Sequence, residues 1–399
     1  MRRPDYYIDE FGRPVRTTYP DGRTITYVYD EAGNMCGVND PVQGSIKYQY
    51  DLVDRVTKII YPDGKVLSYG YDPAGNRKSL TYPDGEAVSY NYGKTNCLTE
   101  IIFVAGRICF EYDKSGRFVK KTLPNGISIA HAYNNAGRLT EMLVTGPHGS
   151  TLFNYSYKSD AVGNFLEIRK KSEKYENISR FTYDPLYRLI RVKYPDGNRA
   201  KYRYDTAGNR CFMGSSLTGR DGRPSGFITK ALAGLGIFSR KVIYEFNPEN
   251  HLIRADGMEY KYDENGNLIE KNSSGMITRY KYGYENRLIK IEYPDGSYSQ
   301  YTYNALGKRT SRLTRDKKAF FYVYDGHDRI QELNKDGRVV ASYVHAPGYN
   351  RPVCMTRGGK SYYYLHDHIG SVVALSDESG SIVAEYEYDE WGNTAGRTG

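Results

Sequence analysis

The sequence is poor in residues that several protein classes require. Its 399 residues include one tryptophan and five cysteines. The cysteines are odd in number and scattered along the chain, which argues against a disulfide framework and against a zinc site: Cys36, Cys97, Cys109, Cys211 and Cys354. Mean hydropathy is −0.68, and no apolar run reaches the roughly 18 residues of a transmembrane helix. The first residues also lack the apolar core of a secretory signal.

Recognisable catalytic motifs are missing as well. The sequence contains no Gly-x-Ser-x-Gly, no phosphate-binding loop and no zinc-binding helix motif. We therefore expect neither an enzyme nor a cofactor. The net charge of +9 is spread along strands and turns instead of forming a patch, so we expect no nucleic-acid partner.

Tyrosine, by contrast, is abundant, with 42 residues against 13 phenylalanines. Much of it belongs to a repeated motif, Tyr-x-Tyr-Asp-x-x-Gly-Asn/Arg, whose copies recur at a spacing of 21 residues in the first part of the chain. The clean copies begin at Tyr27, Tyr48, Tyr69, Tyr202, Tyr301 and Tyr322. A fixed period of this length indicates a repeat protein.

A second motif precedes the tyrosine pair by eight residues. It reads Tyr-Pro-Asp-Gly at Tyr19, Tyr61, Tyr82, Tyr194 and Tyr293, with Leu123-Pro-Asn-Gly as a variant. Proline sets φ at the first corner, Asp or Asn bonds to the local backbone, and glycine supplies a positive φ. Each copy therefore predicts a hairpin tip, and the Asp-x-x-Gly-Asn segment predicts the turn to the next hairpin.

The segments between the turns are short and rich in β-branched and aromatic residues, which indicates strands. In a strand such as 65–71, Leu67, Tyr69 and Tyr71 share one face. We expect the two tyrosines to stack into a ladder. The residue between them is polar in many copies, so the opposite face should be solvated. The sequence thus predicts an all-β fold, an array of antiparallel β-hairpins in a wide, single-layered sheet.

The residues repeated in each copy are interpreted as structural. An aspartate that recurs in every unit is better explained by backbone capping than by one active site. The representative structural residues are Tyr27, Tyr29, Asp30, Gly33, Tyr69, Tyr71, Asp72, Gly75, Tyr202, Tyr204, Asp205 and Gly208.

The repeat is interrupted between Tyr202 and Tyr244, which are two periods apart. The segment 214–243 lacks the tyrosines and contains the apolar stretch 227–238. This stretch is interpreted as a loop or short helix packed on the sheet, with a membrane-interacting helix as the alternative. The predicted organisation is a repeat sheet at 1–213, this irregular insertion at 214–243, a second repeat sheet at 244–341 and a distinct C-terminal region at 342–399.

The C-terminal region contains a run, Tyr-Tyr-Tyr-Leu-His-Asp-His-Ile-Gly-Ser, followed by a last repeat copy at Tyr386. It resembles the end of the core of the Rhs/YD-repeat family, in which a Tyr-Tyr-x-x-Asp-His-Leu-Gly-Ser run leads into such a copy. Asp367, His368, Gly370 and Ser371 match that run. His366 and His368 could also bind a metal, but no third ligand is evident, so we expect a structural role.

The resemblance implies a strip of hairpins that spirals into part of a hollow shell. It implies a structural role in enclosing and delivering a C-terminal toxic domain, which is not in this chain and would be its partner. It also implies export or a cell-surface location as part of a larger protein, through a bacterial secretion system. The chain is expected to be a fragment. The alternative is a teneurin-like adhesion module that binds glycans or a cell-surface partner through exposed tyrosines.

Overall fold

The computed structural model describes residues 3–215, 240–347 and 351–398. Every regular element of this described part is a β-strand, which confirms the predicted all-β fold. None of its elements is a helix with the length and hydropathy needed to cross a bilayer. The apolar stretch 227–238, interpreted above as a loop or helix, lies outside the described residues.

The strands before the interrupted region are short and regularly spaced. They are β1 (Asp5–Ile8), β2 (Pro14–Thr18), β3 (Thr24–Tyr29), β4 (Met35–Asp40), β5 (Gly44–Tyr50), β6 (Val56–Ile60), β7 (Val66–Tyr71), β8 (Arg77–Thr81), β9 (Ala87–Tyr92), β10 (Leu98–Phe103), β11 (Gly106–Tyr112), β12 (Phe118–Thr122), β13 (Ser128–Tyr133), β14 (Leu139–Thr145), β15 (Thr151–Ser159), β16 (Phe165–Lys171), β17 (Glu176–Tyr183), β18 (Leu189–Lys193), β19 (Arg199–Tyr204) and β20 (Arg210–Ser215).

The strands after it have the same lengths and spacing. They are β21 (Arg240–Phe246), β22 (Leu252–Ala255), β23 (Met258–Tyr262), β24 (Leu268–Ser273), β25 (Met276–Tyr282), β26 (Leu288–Glu292), β27 (Tyr298–Tyr303), β28 (Arg309–Leu313), β29 (Ala319–Asp325), β30 (Asp328–Leu333), β31 (Val339–His345), β32 (Pro352–Arg357), β33 (Lys360–His366), β34 (Val372–Ser376), β35 (Ile382–Tyr388) and β36 (Thr394–Thr398). Strands β20 and β21 therefore include the outer residues of the segment 214–243.

The chain forms two compact units, each made of two separate stretches. Unit 1 contains residues 1–107 and 261–361, and unit 2 contains 108–260 and 362–399. In unit 1, β1 to β10 pair antiparallel in sequence order, as do β24 to β32. In unit 2 the same order holds from β11 to β23 and from β33 to β36.

Both predicted turns share one backbone pattern. At the Tyr61 tip, the Tyr61 N–H donates to Lys65 O at 2.8 Å and the Gly64 N–H donates to Tyr61 O at 3.0 Å. The same two bonds occur at the other end of the hairpin, where the Asp72 N–H donates to Asn76 O at 2.9 Å and the Gly75 N–H donates to Asp72 O at 3.0 Å. The glycines have φ of +80° and +89°. The two ends thus differ in side chains but share a type of three-residue loop.

Burial alternates along the strands as predicted. In β9 the side chains of Val88 and Tyr90 are buried, whereas Ala87, Ser89 and Asn91 are exposed. Longer strands such as β15 alternate in the same way. The register shifts at the second tyrosine of each pair, for example between Gly70 and Tyr71. This irregularity is a β-bulge that leads into the following turn.

The turn glycine is the position at which local strain is easiest to test. Gly75 has φ of +89°, and no neighbouring atom lies within 4 Å of the point that a Cβ would occupy, so only the backbone conformation penalises a side chain. We expect Gly75→Val to lower the free energy of unfolding by about 1–2 kcal/mol, because β-branched residues avoid this region. Gly75→Asn should cost less, since Asn96 occupies the equivalent turn position at φ of +62°. Urea denaturation of both variants would measure this, and equal losses would contradict it.

Candidate functional site

The aspartate of the Asp-x-x-Gly turn caps the backbone, as its repetition predicted. Asp72 Oδ1 accepts the Asn76 N–H at 2.8 Å, and its Oδ2 accepts the Asn76 side-chain amide at 2.9 Å. The Asn76 amide and neighbouring backbone N–H groups hold the pKa of Asp72 below its ordinary value despite partial desolvation. Asp30 and Asp205 make the same pair of bonds to Asn34 and Asn209.

Copies with arginine in place of asparagine use the same aspartate oxygen. Arg55 Nε donates to Asp51 Oδ2 at 2.7 Å, and its guanidinium lies 4.6 Å from the centroid of the Tyr71 ring in the next hairpin. Arg188 repeats both contacts, with Asp184 and with Tyr204. Asparagine and arginine therefore both donate to the carboxylate of the turn aspartate, and arginine adds a cation–π contact to a tyrosine of a neighbouring repeat.

The second tyrosine of each pair connects the two strands of its own hairpin. The Tyr71 hydroxyl donates to Val56 O at 2.8 Å, across 15 residues of sequence. Equivalent bonds of 2.7 to 3.2 Å, also spanning 15 residues, are made by Tyr29, Tyr50, Tyr92, Tyr133, Tyr204 and Tyr303. The expected stacking within a pair does occur at Tyr155 and Tyr157, whose parallel rings are 6.4 Å apart, but Tyr71 and Tyr204 are covered by arginine instead.

The first tyrosine of each pair lies on the buried face. Tyr202 is 2% exposed and packs with Val192 and Ala200. Tyr27 packs against the cluster of Tyr19, Ile25, Val38 and Ile46. Tyr69 is half-buried, and its hydroxyl donates to Asp325 Oδ1 at 3.0 Å. Burial first and the Asp325 carboxylate second raise the pKa of Tyr69.

The Tyr-Pro-Asp-Gly tips in the first stretch of unit 1 contact residues of its second stretch. We call these contacts, made by Tyr19, Tyr61, Tyr69 and Tyr82 with residues 284–343, the unit 1 seam. The Tyr61 hydroxyl donates to Tyr324 O at 2.6 Å, and the Tyr82 hydroxyl donates to Tyr343 O at 2.7 Å. The partners are 263 and 261 residues apart in sequence.

Charged groups reinforce this seam. The Tyr19 hydroxyl bonds to the Glu285 carboxylate, and Asp325 forms an ion pair with Arg77 besides accepting from Tyr69. Arg77 also lies 5.0 Å from the centroid of the buried Tyr90 ring. Burial raises the pKa of Tyr90 to about 12, with Arg77 opposing the shift.

Unit 2 contains an equivalent seam, made by Asn125, Tyr194 and Tyr202 with residues 376–391. The Tyr194 hydroxyl lies 2.7 Å from Glu390 Oε2 and 3.0 Å from its Oε1. Burial raises the pKa of Glu390, while the hydrogen bond from Tyr194 lowers it. Trp391, the single tryptophan, packs edge-on against Tyr202 with ring centroids 5.2 Å apart. Asn125 donates to Asp377 O at 2.7 Å.

The C-terminal family run folds as another copy of the same turn. Asp367 Oδ1 accepts the N–H groups of Ile369 and Ser371, at 3.0 and 2.8 Å, and Gly370 has φ of +91°. The His368 ring packs 4.7 Å from Tyr157 and 4.6 Å from Phe165, measured between centroids.

The two histidines of that run contact different partners, since the ring of His366 lies against Tyr364. Among the described residues, no three histidine, cysteine or carboxylate side chains are grouped as a metal site would require.

The predicted structural residues are brought together at the turns, along the strands and at the seams. Sequence reasoning missed the seam partners Asp325, Tyr343 and Glu390, because their partners are far away in the chain.

Comparisons with known proteins agree with this architecture. The sequence matches the family described as Teneurin YD-shell over residues 5–184 and 237–398. It is 29% identical over 214 residues to the tRNA3(Ser)-specific nuclease WapA of Bacillus spizizenii, covering 53% of this chain and 8% of the nuclease. It is 25% identical over 284 residues to the toxin protein Tse5 of Pseudomonas aeruginosa, covering 59% of this chain and 21% of the toxin.

Solved structures give the same result for the fold. The crystal structure of TcdB2-TccC3-TEV superposes with a TM-score of 0.72 at 16% identity, covering 98% of this chain and 24% of that one. The Tc holotoxin pore of Photorhabdus luminescens gives a TM-score of 0.71 at 15% identity, with the same coverage. The chain thus spans less than a quarter of each of these proteins.

The buried seam bond of Tyr82 can be tested by removing one oxygen. Tyr82 is 3% exposed, so Tyr82→Phe would leave the Tyr343 carbonyl buried without its donor. We expect the free energy of unfolding to fall by about 1–3 kcal/mol, the cost of an unsatisfied buried group. Tyr7→Phe, at a ring that is 42% exposed, is the control and should change stability by less than about 0.5 kcal/mol. Equal effects in chemical denaturation would contradict the assignment.

The buried tyrosines also predict a loss of stability at high pH. Burial raises the pKa of Tyr48 and Tyr90 from 10 to about 12. The folded state therefore holds these protons more tightly than the unfolded state, so their contribution is complete below pH 10 and declines as the pH rises from 10 to 12. Denaturant midpoints measured across that range should fall, and Tyr90→Phe should make the fall shallower. A midpoint that does not change between pH 10 and 12 would refute this.

Proposed function

Since the chain belongs to the Teneurin YD-shell family, we propose that it is a wall segment that encloses another polypeptide. The observation that carries this proposal is the seam. Tyrosines at hairpin tips bond to strand carbonyls of a second stretch about 260 residues away. Such bonds join one run of hairpins to another at their ends, so the sheet extends in two directions from short repeated units.

A wall of this kind suits enclosure for a physical reason. Each hairpin contributes hydrogen bonds to both neighbours, so stability increases with the number of repeats and does not require one filled core. The alternating burial of a strand such as β9 leaves one face solvated. Such a sheet can bound a volume without packing it, whereas a barrel with few strands fills its own interior.

The enclosed partner would be a toxic domain outside residues 1–399. Relatives that match this chain are named as a toxin and a tRNA nuclease, and this chain covers only a small part of each. We propose a structural role here, with any catalytic activity residing in the enclosed domain. Delivery by a bacterial secretion system, from an exported or cell-surface protein, belongs to the same proposal.

Adhesion through exposed tyrosines, the alternative, has less support. The hydroxyls that could bind a sugar are used internally in many copies, such as Tyr29 and Tyr71, which donate to Pro14 O and Val56 O. A ring whose hydroxyl is already bonded and whose face is covered by arginine offers little to a glycan.

Protease protection tests the proposed enclosure directly. In the longer protein, comprising this chain and its natural C-terminal neighbour, we expect the downstream domain to resist added protease under conditions that digest the same domain alone. Limited proteolysis followed by mass spectrometry would locate the cuts.

Two variants sharpen this test. Tyr194→Phe combined with Glu390→Gln removes the unit 2 carboxylate bond and should accelerate digestion of the enclosed domain. Tyr7→Phe, at an exposed ring, should leave the rate unchanged. A downstream domain that is digested as fast in the longer protein as alone would rule out enclosure.

A further inference from the structure

Each tip tyrosine of the repeat has a group of side chains at fixed sequence positions before it, and we call this group its cup. For Tyr61, the residues 2, 13 and 15 positions earlier are Ile59, Tyr48 and Ile46, which all belong to or pack against one apolar cluster. Ala305 and Leu306, in the turn 304–307 of the second stretch, pack against the same cluster. In the first stretch the cluster that includes the Tyr61 cup is therefore covered by an apolar turn, and we call this cup filled.

Tyr293 has the same cup, which is open in the part of the chain that the structure describes. The residues 2, 13 and 15 positions earlier are Ile291, Tyr280 and Thr278. With Met276 and Pro294, the counterparts of Gly44 and Pro62, they line an open cleft of about 310 Å³. The matching positions show that this cleft is the same part of the repeat as the filled cup beside Tyr61.

The hydroxyl of the tyrosine has a different partner at the unfilled position. Tyr19 and Tyr82 are 3% exposed, and both bond to the second stretch. Tyr61 and Tyr293 are both half-buried, but the Tyr61 hydroxyl donates to Tyr324 O of the second stretch, whereas the Tyr293 hydroxyl lies 3.3 Å from Ser299 Oγ within its own hairpin. Met276 at the cleft is 61% exposed, so its side chain is accessible to an incoming segment.

We propose that this cleft, formed by Met276, Thr278, Tyr280, Ile291, Tyr293 and Pro294, is a docking socket for a repeat turn supplied by another polypeptide segment. The occupant is a hairpin turn of Asn/Asp-x-Leu-Gly type. Its apolar central residues would fill the cleft as Ala305 and Leu306 do in the filled cup. One of its backbone carbonyls would accept the Tyr293 hydroxyl, as Tyr324 O accepts that of Tyr61.

Continuity with the unit 1 seam identifies this occupant. Tip tyrosines earlier in unit 1 bond to residues of the same repeat. The Tyr293 cup has Ile291 where the Tyr61 cup has Ile59, and Thr278 where the Tyr61 cup has Ile46. Lys271 and Ser273 also line the cleft, so a carbohydrate, which binds through several directed polar groups, is the competing occupant that the experiment below distinguishes. The inference does not depend on enclosure, since a turn can dock whether or not the wall surrounds a cargo.

A hairpin peptide is the probe. Residues 300–313 contain the turn Asn304–Gly307 between paired strands, and backbone cyclisation would hold this hairpin together because an isolated hairpin is marginally stable. Fluorescence anisotropy of the labelled cyclic peptide, titrated with the full chain, should show saturable binding.

Variants on both partners make the result specific. Met276→Glu, at an exposed position, and Leu306→Asp in the peptide should each weaken binding by about tenfold or more, because each places a charge in the apolar contact. Tyr293→Phe should weaken it less, through the lost hydroxyl. Tyr61→Phe in the filled cup is the matched control and should leave binding within about twofold.

The possible outcomes decide the proposal. Saturable binding that Met276→Glu weakens supports the socket, and so does self-association of the chain in sedimentation experiments if the same variant abolishes it, since a second copy carries the same turns. Absence of peptide binding at millimolar concentration would overturn the proposal. Binding unaffected by the cleft variants, or a glycan that binds there while the peptide does not, would also overturn it.

Discussion

The tyrosine hydroxyl that donates to a backbone carbonyl of another strand is the interaction on which this structure depends. It acts in two directions. Tyr71 bonds to Val56 O along the sheet, and Tyr82 bonds to Tyr343 O across to a second stretch. Phenylalanine could provide the apolar ring but not the donor, which explains why tyrosine outnumbers phenylalanine 42 to 13. In both directions the ring excludes water and the hydroxyl satisfies a carbonyl.

The turns supply the geometry that these bonds require. Asp72 and Asn76 hold one end of a hairpin, and Gly75 takes the left-handed conformation that closes the loop. Because the same loop recurs at both ends of each hairpin, successive strands start in register and their tyrosines occupy equivalent strand positions. Without this recurring loop, small shifts in strand register would accumulate along an array whose units contact mainly their neighbours.

Much of this organisation could be predicted from the sequence. The all-β fold, the hairpin tips and the capping by Asp72 follow from residue types at fixed spacing, because turns and strand alternation are local properties. The family run could have been interpreted further, since Asp367 and Gly370 have the spacing of the ordinary turn and fold as one. The expected stacking of paired tyrosines proved to be only partly correct, because Arg55 and Arg188 cover the second ring instead.

The sequence by itself determined the repeat, its strands and its turns, since each depends on residues fewer than about 20 positions apart. Only the tertiary structure decided which distant residue each tip tyrosine bonds to, for example Tyr324 for Tyr61 and Glu390 for Tyr194. It also distinguished the filled cup beside Tyr61 from the open one beside Tyr293. The reason is physical: equivalent repeats carry nearly the same side chains, so contacts between distant repeats depend on how the chain is arranged in space.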